Sequence, residues 1–240
     1  MTVLDPTILK ITTRGLLGRK RAFLLIPLPV LLIGLALLGK ATDAPVTDWG
    51  PGVLIGLGMS VVLPLTALIV GTSALGSEID DGTIVHILTK PLPRREIILP
   101  KLVVAFGITV VVAVLPLAVA GAIVESARLG LGLAVGAVLG ALVYSAIFVA
   151  LSVVTRRPVA FGLIYLLVWE SLLAGVLAGT KQFSVQQYAL TVADKVTGSQ
   201  LVTGTVGLPM VIVMSTVLVV GGTYLAIDRL RSFSLTGESS

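Results

Sequence analysis

The hydrophobic positions of this chain are gathered into six long runs that are separated by shorter polar segments. The runs cover residues 23–39, 52–75, 102–124, 130–154, 159–178 and 208–227. Each is close to the ~20 residues with which a helix crosses about 30 Å of hydrocarbon. A membrane-spanning β-barrel would instead show short segments of alternating polarity. The pattern predicts an all-α, polytopic membrane protein with six transmembrane helices in one transmembrane domain, residues 1–240.

Composition favours the same class of protein. The chain is 56% hydrophobic and 12% charged, whereas a soluble domain is roughly one-quarter charged. It contains no cysteine and a single histidine, His86. These counts argue against a disulfide framework, a thiol nucleophile and a metal site built from histidine or thiolate ligands.

The distribution of basic residues predicts the orientation of the helices. Cytoplasmic segments of membrane proteins carry an excess of Lys and Arg. With both termini inside, 13 of the 17 basic residues fall on the cytoplasmic side. They are Lys10, Arg14, Arg19, Lys20, Arg21, Lys90, Arg94, Arg95, Lys101, Arg156, Arg157, Arg229 and Arg231. We therefore expect a multi-pass membrane protein with both termini in the cytoplasm. This orientation accounts for the basic pI, so no nucleic-acid partner is expected. The abundance of Val, Ala, Leu and Gly and the absence of Asn favour a GC-rich bacterial genome, and so a bacterial cytoplasmic membrane.

The segment ahead of the first run has the pattern of an amphipathic helix. Leu4, Ile8 and Ile11 share one helical face, whereas Lys10 and Arg14 lie off that face. Such a helix lies in the membrane interface. The alternative is an ordinary polar segment that leads into the first span.

The connection between the second and third runs, residues 76–101, is unusually charged. Acidic residues are crowded at its start, which suits the N-terminal turn of a helix. Pro91 and Pro93 then interrupt the chain. Residues 94–99 are expected to form a short interfacial helix, and Lys101 to mark the start of the third span. A plain solvated loop would explain the basic residues of this connection but not its acidic cluster.

This connection resembles the first cytoplasmic loop of type-2 ABC transporter permeases, the membrane subunits of ATP-driven exporters. The resemblance is carried by a Glu, a Gly-Thr pair, an apolar stretch, a proline turn with an Arg, and a Lys. In this chain they are Glu78, Gly82, Thr83, Leu88, Pro91, Arg94 and Lys101. The six-run layout and the amphipathic leading segment fit the same family. Pro93 and Pro100 depart from its usual pattern.

The resemblance implies a division of labour between two kinds of subunit. A separate cytoplasmic ATPase would bind ATP and Mg, and this chain would bind no cofactor. Two permease copies would pair as a homodimer, and each would present residues 78–88 to one ATPase as a coupling helix. Asp80 and Asp81 would belong to this contact. The near-match to a phosphate-binding loop at residues 34–41 lacks the required hydroxyl, because Ala41 ends it.

One acidic residue lies well inside a hydrophobic run. Burying the charge of Glu170 in a membrane costs roughly 3 kcal/mol or more unless it is sheltered. Glu170 and Ser171 could line a translocation path or form a gate, or Glu170 could hold two helices together through a hydrogen bond. An alternative function is therefore ATP-independent secondary transport through Glu170. A membrane enzyme with metal at Asp80 and Asp81 is a weaker alternative, because no second acidic cluster follows.

Small residues and prolines predict further details of helix packing. Gly132, Gly136 and Gly140 repeat every four residues, which permits close helix contact, most simply within the chain. Pro64 and Pro116 should kink their helices. The apolar patch at residues 188–192, in the connection before the last run, is expected to turn back toward the membrane.

Overall fold

A computed structural model describes residues 25–42, 44–80, 93–173 and 178–232, and every regular element in these ranges is a helix. Helix α1 spans Pro27–Ala41. Helix α2 joins Val46–Pro51, a π-helical stretch Gly52–Val62, and Leu63–Asp80. Helix α3 joins Arg95–Thr109, a π-helical stretch Val110–Val114, and Leu115–Val124. Helix α4 spans Ala127–Val154, and α5 joins Pro158–Ile164 to a π-helical stretch Tyr165–Leu173. A 3-10 turn at Ala178–Phe183 precedes α6, Val185–Thr197, and α7 spans Leu208–Ser232.

Four of these helices are long and apolar enough to cross a membrane. They contain the segments Val46–Gly76, Arg95–Val124, Ala127–Val154 and Leu208–Leu230. The predicted runs 23–39 and 159–178 coincide with shorter apolar helices, Pro27–Ala41 and Pro158–Leu172. The all-helical class is confirmed, with four candidate spans by length and two shorter helices. The predicted amphipathic helix of residues 1–22 lies outside the described ranges.

Helix α4 forms the centre of the bundle. It packs against α2, α3, α6 and α7. In its most apolar stretch 67% of the residues are buried, whereas the figure for α7 is 17%. Ser126 caps the start of α4 by accepting a hydrogen bond from the Leu129 N–H at 3.2 Å, which satisfies one of the open donors of the first turn. The outer faces of α1, α5 and α7 expose large apolar side chains.

Close contact between α4 and α6 depends on glycine. A β-carbon at Gly136 would overlap the carbonyl oxygen of Ala189, and one at Gly132 would overlap the Thr197 side chain. Gly140 also faces Ala189. The prediction that this glycine repeat serves packing within the chain is confirmed. The sequence of these contacts along the two helices shows that α6 runs antiparallel to α4, with its N-terminus toward the middle of α4.

A π-helical stretch precedes each of the two internal prolines named above. Gly52–Val62 ends two residues before Pro64, and Val110–Val114 ends two residues before Pro116. Proline cannot donate a backbone hydrogen bond, and its ring crowds the preceding turn. A wider turn ahead of the proline is one way in which a helix accommodates both effects.

The start of α3 differs from the prediction. Residues 95–99 do not form a separate interfacial helix, because α3 runs without a break through Pro100 and Lys101. Ile97 and Ile98 are buried in a cluster with Leu75 of α2. This burial holds the start of α3 against the end of α2, so Lys101 lies inside the bundle.

Candidate functional site

Glu170 is buried at the junction of α5 and α6. Its side chain is 7% exposed, and four groups donate hydrogen bonds to its two oxygens. Oε1 accepts from the Tyr165 hydroxyl at 3.1 Å and from the Val185 N–H at 3.0 Å. Oε2 accepts from the Ser184 hydroxyl and, at 3.5 Å, from the Gln186 N–H. A charged group in an apolar surrounding is tolerated when such donors surround it.

Two of these donors are backbone groups at the N-terminus of α6. Ser184 is the N-cap, and its oxygen also accepts the Gln187 N–H at 3.3 Å. The first N–H groups of a helix have no partners within the helix, and the helix dipole places partial positive charge there. Glu170 satisfies both needs, so it acts as a second cap supplied by α5.

The position of this junction follows from helix geometry. Helix α6 has 13 residues, so at 1.5 Å per residue its N-terminus lies about 18 Å from its other end. Gly198 ends the helix in the left-handed conformation, with φ 60°, which glycine adopts without strain. Because α6 lies along α4, Glu170 sits deep between the two ends of the bundle.

The polar contacts extend from α6 to α2. The Gln186 side-chain amide donates to Ser60 Oγ at 2.6 Å. Ser60 in turn donates to the carbonyl of Ile55 at 2.8 Å, five residues earlier in the π-helical stretch. Elements far apart in the sequence are therefore joined in one hydrogen-bonded network, which we call the Glu170 network: Ser60, Tyr165, Glu170, Ser184, Val185 and Gln186.

An aromatic row lies beside the network. The Phe148 ring is 6.3 Å from that of Tyr165 in an edge-to-face arrangement and 5.9 Å from that of Tyr144 in a stacked one. Such pairs stabilise a packed core. The row holds the Tyr165 ring in place, and with it the hydroxyl that donates a hydrogen bond to Glu170.

The structure does not bring Ser171 together with Glu170. Ser171 is exposed, and its hydroxyl donates to the Leu166 carbonyl at 3.2 Å. The patch at residues 188–192 lies in α6, which packs against α4, and its return toward the membrane stays a prediction. Tyr188 is 1% exposed, and its hydroxyl donates to the Gln182 carbonyl at 2.7 Å.

The predicted coupling residues are described only in part. Glu78 and Asp80 lie in the last turn of α2, and their side chains are not described. The carbonyl of Arg94 accepts the Ile98 N–H at 3.1 Å at the start of α3. Lys101 is 1% exposed and donates to the Ala74 carbonyl at 2.8 Å. The remaining ones lie outside the described residues: Asp81, Gly82, Thr83, Leu88 and Pro91.

Sequence reasoning found Glu170 but missed its partners. Ser184 and Gln187 form an S-x-x-Q pattern, which indicates a helix start and could have located the cap. Nothing in the sequence links Ser60 to Gln186, because they are 126 residues apart. Within residues 25–42, 44–80, 93–173 and 178–232, no group of three or more His, Cys, Asp or Glu side chains could hold a metal ion.

Comparison with known protein families gives a match over most of the chain. Residues 12–201 match the model of the family described as ABC-2 family transporter protein. No curated protein matches at a significant level. The family match agrees with the resemblance found in residues 78–101 and with the apolar helices described above. The chain belongs to the ABC-2 family of transporter membrane proteins.

Proposed function

We propose that this chain is the membrane-spanning permease subunit of an ABC exporter and that it moves its substrate outward. The family match over residues 12–201 is the observation that carries the proposal. The energy would come from ATP hydrolysis in a separate cytoplasmic ATPase, the partner that the family implies. The chain itself would do no chemistry on the nucleotide.

The proposed topology has six spans with both termini in the cytoplasm. Helices α2, α3, α4 and α7 are long enough to cross, and α1 and α5 would complete the six. The excess of Lys and Arg on one side supports the orientation. In this orientation α6 lies on the outer side, and Glu170 lies near the middle of the membrane.

Residues 76–101 would form the contact with the ATPase. The proposed contact residues are Glu78, Asp80, Asp81, Gly82, Thr83, Leu88, Pro91 and Arg94, with Lys101 behind them. The packing of α3 against α2 supports a mechanical role for this segment. Since Lys101 joins the two helices through the Ala74 carbonyl, a push on the connection would move α2 and α3 together.

The Glu170 network would act at the other end of this movement. A buried carboxylate that holds the N-terminus of α6 keeps the connection between α5 and α6 in one position. Opening a path to the outer side would require α5 and α6 to separate or to move as one unit. We propose that Glu170 is the gate-holding residue, and that Ser171 faces the path or the partner permease.

The test is to identify what binds the chain in its native membrane. A tagged chain is extracted gently, and the proteins that copurify in fixed ratio are identified. ATP hydrolysis of the complex is compared between wild type and Glu78→Ala, with Glu125→Ala as a control at the opposite end. We expect two ATPases per two permeases, and a complex weakened by Glu78→Ala but not by Glu125→Ala.

Other outcomes would point elsewhere. A chain that purifies without any ATPase under all conditions would contradict the proposal. Uptake or efflux that depends on a proton gradient and is lost in Glu170→Gln would then favour secondary transport. A complex that contains a different permease in place of the second copy would contradict the homodimer alone.

A further inference from the structure

An apolar groove lies between α4 and α7 and is formed by two cavities placed end to end. The first has a volume of about 470 Å³ and the second of about 340 Å³. Ile147 and Leu218 line both of them, so the two cavities adjoin at these side chains. Each volume is in the range of small-ligand sites in proteins. This groove does not include Glu170 or the predicted ATPase contact.

The upper part of the groove is lined by aromatic rings whose polar atoms have partners elsewhere. Trp169 donates its indole N–H to the Phe183 carbonyl at 3.3 Å. The hydroxyls of Tyr165 and Tyr188 donate to Glu170 and to the Gln182 carbonyl. The rings therefore present carbon surface to the groove, which suits a hydrocarbon chain and not a polar solute.

The length and direction of the groove match those of one acyl chain in a bilayer. It follows α7 from Met214 to Leu225, which is about 16 Å at 1.5 Å per residue. Half of the hydrocarbon core is about 15 Å thick. Since α7 is a candidate span, the groove runs across the membrane over the depth of a single acyl chain.

The lower end of the groove is basic. The groove ends at Val154 on α4. Two residues further along the chain come Arg156 and Arg157, which are exposed. On α7, Arg229 lies one turn beyond Leu225 on the same face. Asp228 is next to Arg229 in the sequence, whereas Arg156 and Arg157 form a pair of adjacent basic residues.

We propose that the groove binds an anionic phospholipid, with one acyl chain along α4 and α7 and the phosphate at Arg156 and Arg157. Clusters of basic residues at the cytoplasmic ends of membrane helices bind anionic headgroups. The assignment to the cytoplasmic leaflet rests on the orientation in the proposed function. The binding itself does not, because it is measured on the chain without an ATPase.

The test uses Trp169 as a reporter at the upper end of the groove. The chain has two tryptophans, so Trp49→Phe leaves Trp169 alone. The protein is placed in vesicles made of equal parts of phosphatidylglycerol and phosphatidylcholine, in which either the first or the second lipid carries bromine. Two arginines predict a preference for phosphatidylglycerol of about 30-fold. Quenching should therefore be strong only when phosphatidylglycerol carries the bromine.

Two variants separate the acyl chain from the headgroup. Gly221→Leu fills the groove, because a β-carbon at Gly221 meets nothing within 4 Å. Gly107→Leu is the matched control, since Gly107 on α3 is equally open. We expect Gly221→Leu to abolish the selective quenching and Gly107→Leu to keep it. Replacing both Arg156 and Arg157 by Gln should make the two labellings equivalent.

Three results would overturn the proposal. One is equal quenching by the two labelled lipids in the wild-type groove. Another is selective quenching that survives Gly221→Leu, which would place the lipid elsewhere. The third is loss of the dimer in Gly221→Leu with unchanged lipid selectivity, which would mean that a second copy of the chain fills the groove. The arginine pair is exposed, so its variant tests the headgroup even if Gly221→Leu fails to fold.

Discussion

Removing the Glu170 carboxylate should destabilise the folded chain, because this one group joins α5 to the start of α6. In Glu170→Gln the remaining carbonyl oxygen can still accept from Tyr165 and Val185. The new amide group, however, would face the Gln186 N–H, which can only donate. The charge that favours the N-terminus of α6 is also lost.

The magnitude follows from the number of bonds that change. A hydrogen bond to a charged group contributes about 1.5–3 kcal/mol, and one between neutral groups about 0.5–1.5 kcal/mol. Weakening the bonds from Tyr165 and Val185 and losing the one from the Gln186 N–H predicts a loss of about 2–3 kcal/mol for Glu170→Gln. Glu170→Ala leaves the buried Val185 N–H and the Ser184 hydroxyl without their acceptor, which predicts about 4 kcal/mol.

The assay is thermal unfolding in one fixed detergent, followed by the fraction of protein that stays monodisperse after heating. For a chain of this size 1 kcal/mol corresponds to roughly 2–4 °C, so the midpoint of Glu170→Gln should fall by about 4–12 °C. Glu170→Ala should fall further. Glu125→Gln is the control, because Glu125 is an exposed carboxylate that accepts a hydrogen bond from the Ser199 hydroxyl at 2.7 Å. The unfolding midpoint of this variant should change little.

A specific result would refute the reasoning. If Glu170→Gln and Glu170→Ala unfold at the wild-type midpoint, the carboxylate does not hold α6 in place. The same conclusion would follow if Glu125→Gln were as unstable as Glu170→Gln. A stable Glu170 variant that has lost transport would instead assign the residue to the translocation path alone.

Three further predictions concern other contacts. Gly136→Ala should lower the unfolding midpoint by several degrees, because its methyl group meets the backbone of α6, while Gly107→Ala should not; equal midpoints would contradict the close contact. Lys101→Met should clearly weaken the dependence of ATP hydrolysis on the permease, whereas the unfolding midpoint should change little. A large fall in the midpoint with unchanged dependence of ATP hydrolysis on the permease would make Lys101 purely structural. A double-mutant cycle between Gln186→Leu and Ser60→Ala in the unfolding assay should give a coupling of about 1 kcal/mol, and additive effects would show that their 2.6 Å contact contributes nothing.

Hydropathy predicts the helices well because a helix in lipid must satisfy its own backbone groups and expose apolar side chains. The run 130–154 therefore agrees with α4, Ala127–Val154. The helix starts earlier than the run because Ser126 caps it, and a hydropathy window does not detect a cap. Counting apolar residues cannot show that Glu170, within the run 159–178, accepts hydrogen bonds from the start of α6.

The Glu170 network could not be predicted from the sequence because its contacts are tertiary. A buried carboxylate requires donors, and the sequence shows that requirement through its position in an apolar run. Which donors satisfy it depends on how α6 lies against α4, and this depends on the space left at Gly132 and Gly136. The cap at Ser184 is local and was predictable, whereas the contact of Gln186 with Ser60 was not.

Helix α2 is the element that connects the two ends of the proposed mechanism. Ala74, near its end, accepts the hydrogen bond from Lys101, and Ser60 accepts the one from Gln186. These positions are 14 residues apart, or about 21 Å along the helix. Between Leu63 and Asp80 the helix is regular, so a displacement at Ala74 would be carried along it to Leu63, three residues from Ser60. Ser60 itself lies in the π-helical stretch, and irregular turns of this kind are frequent at functional sites. A push on residues 76–101 would therefore act first on the contact that joins α2 to α6, and through Gln186 on the start of the helix that Glu170 holds.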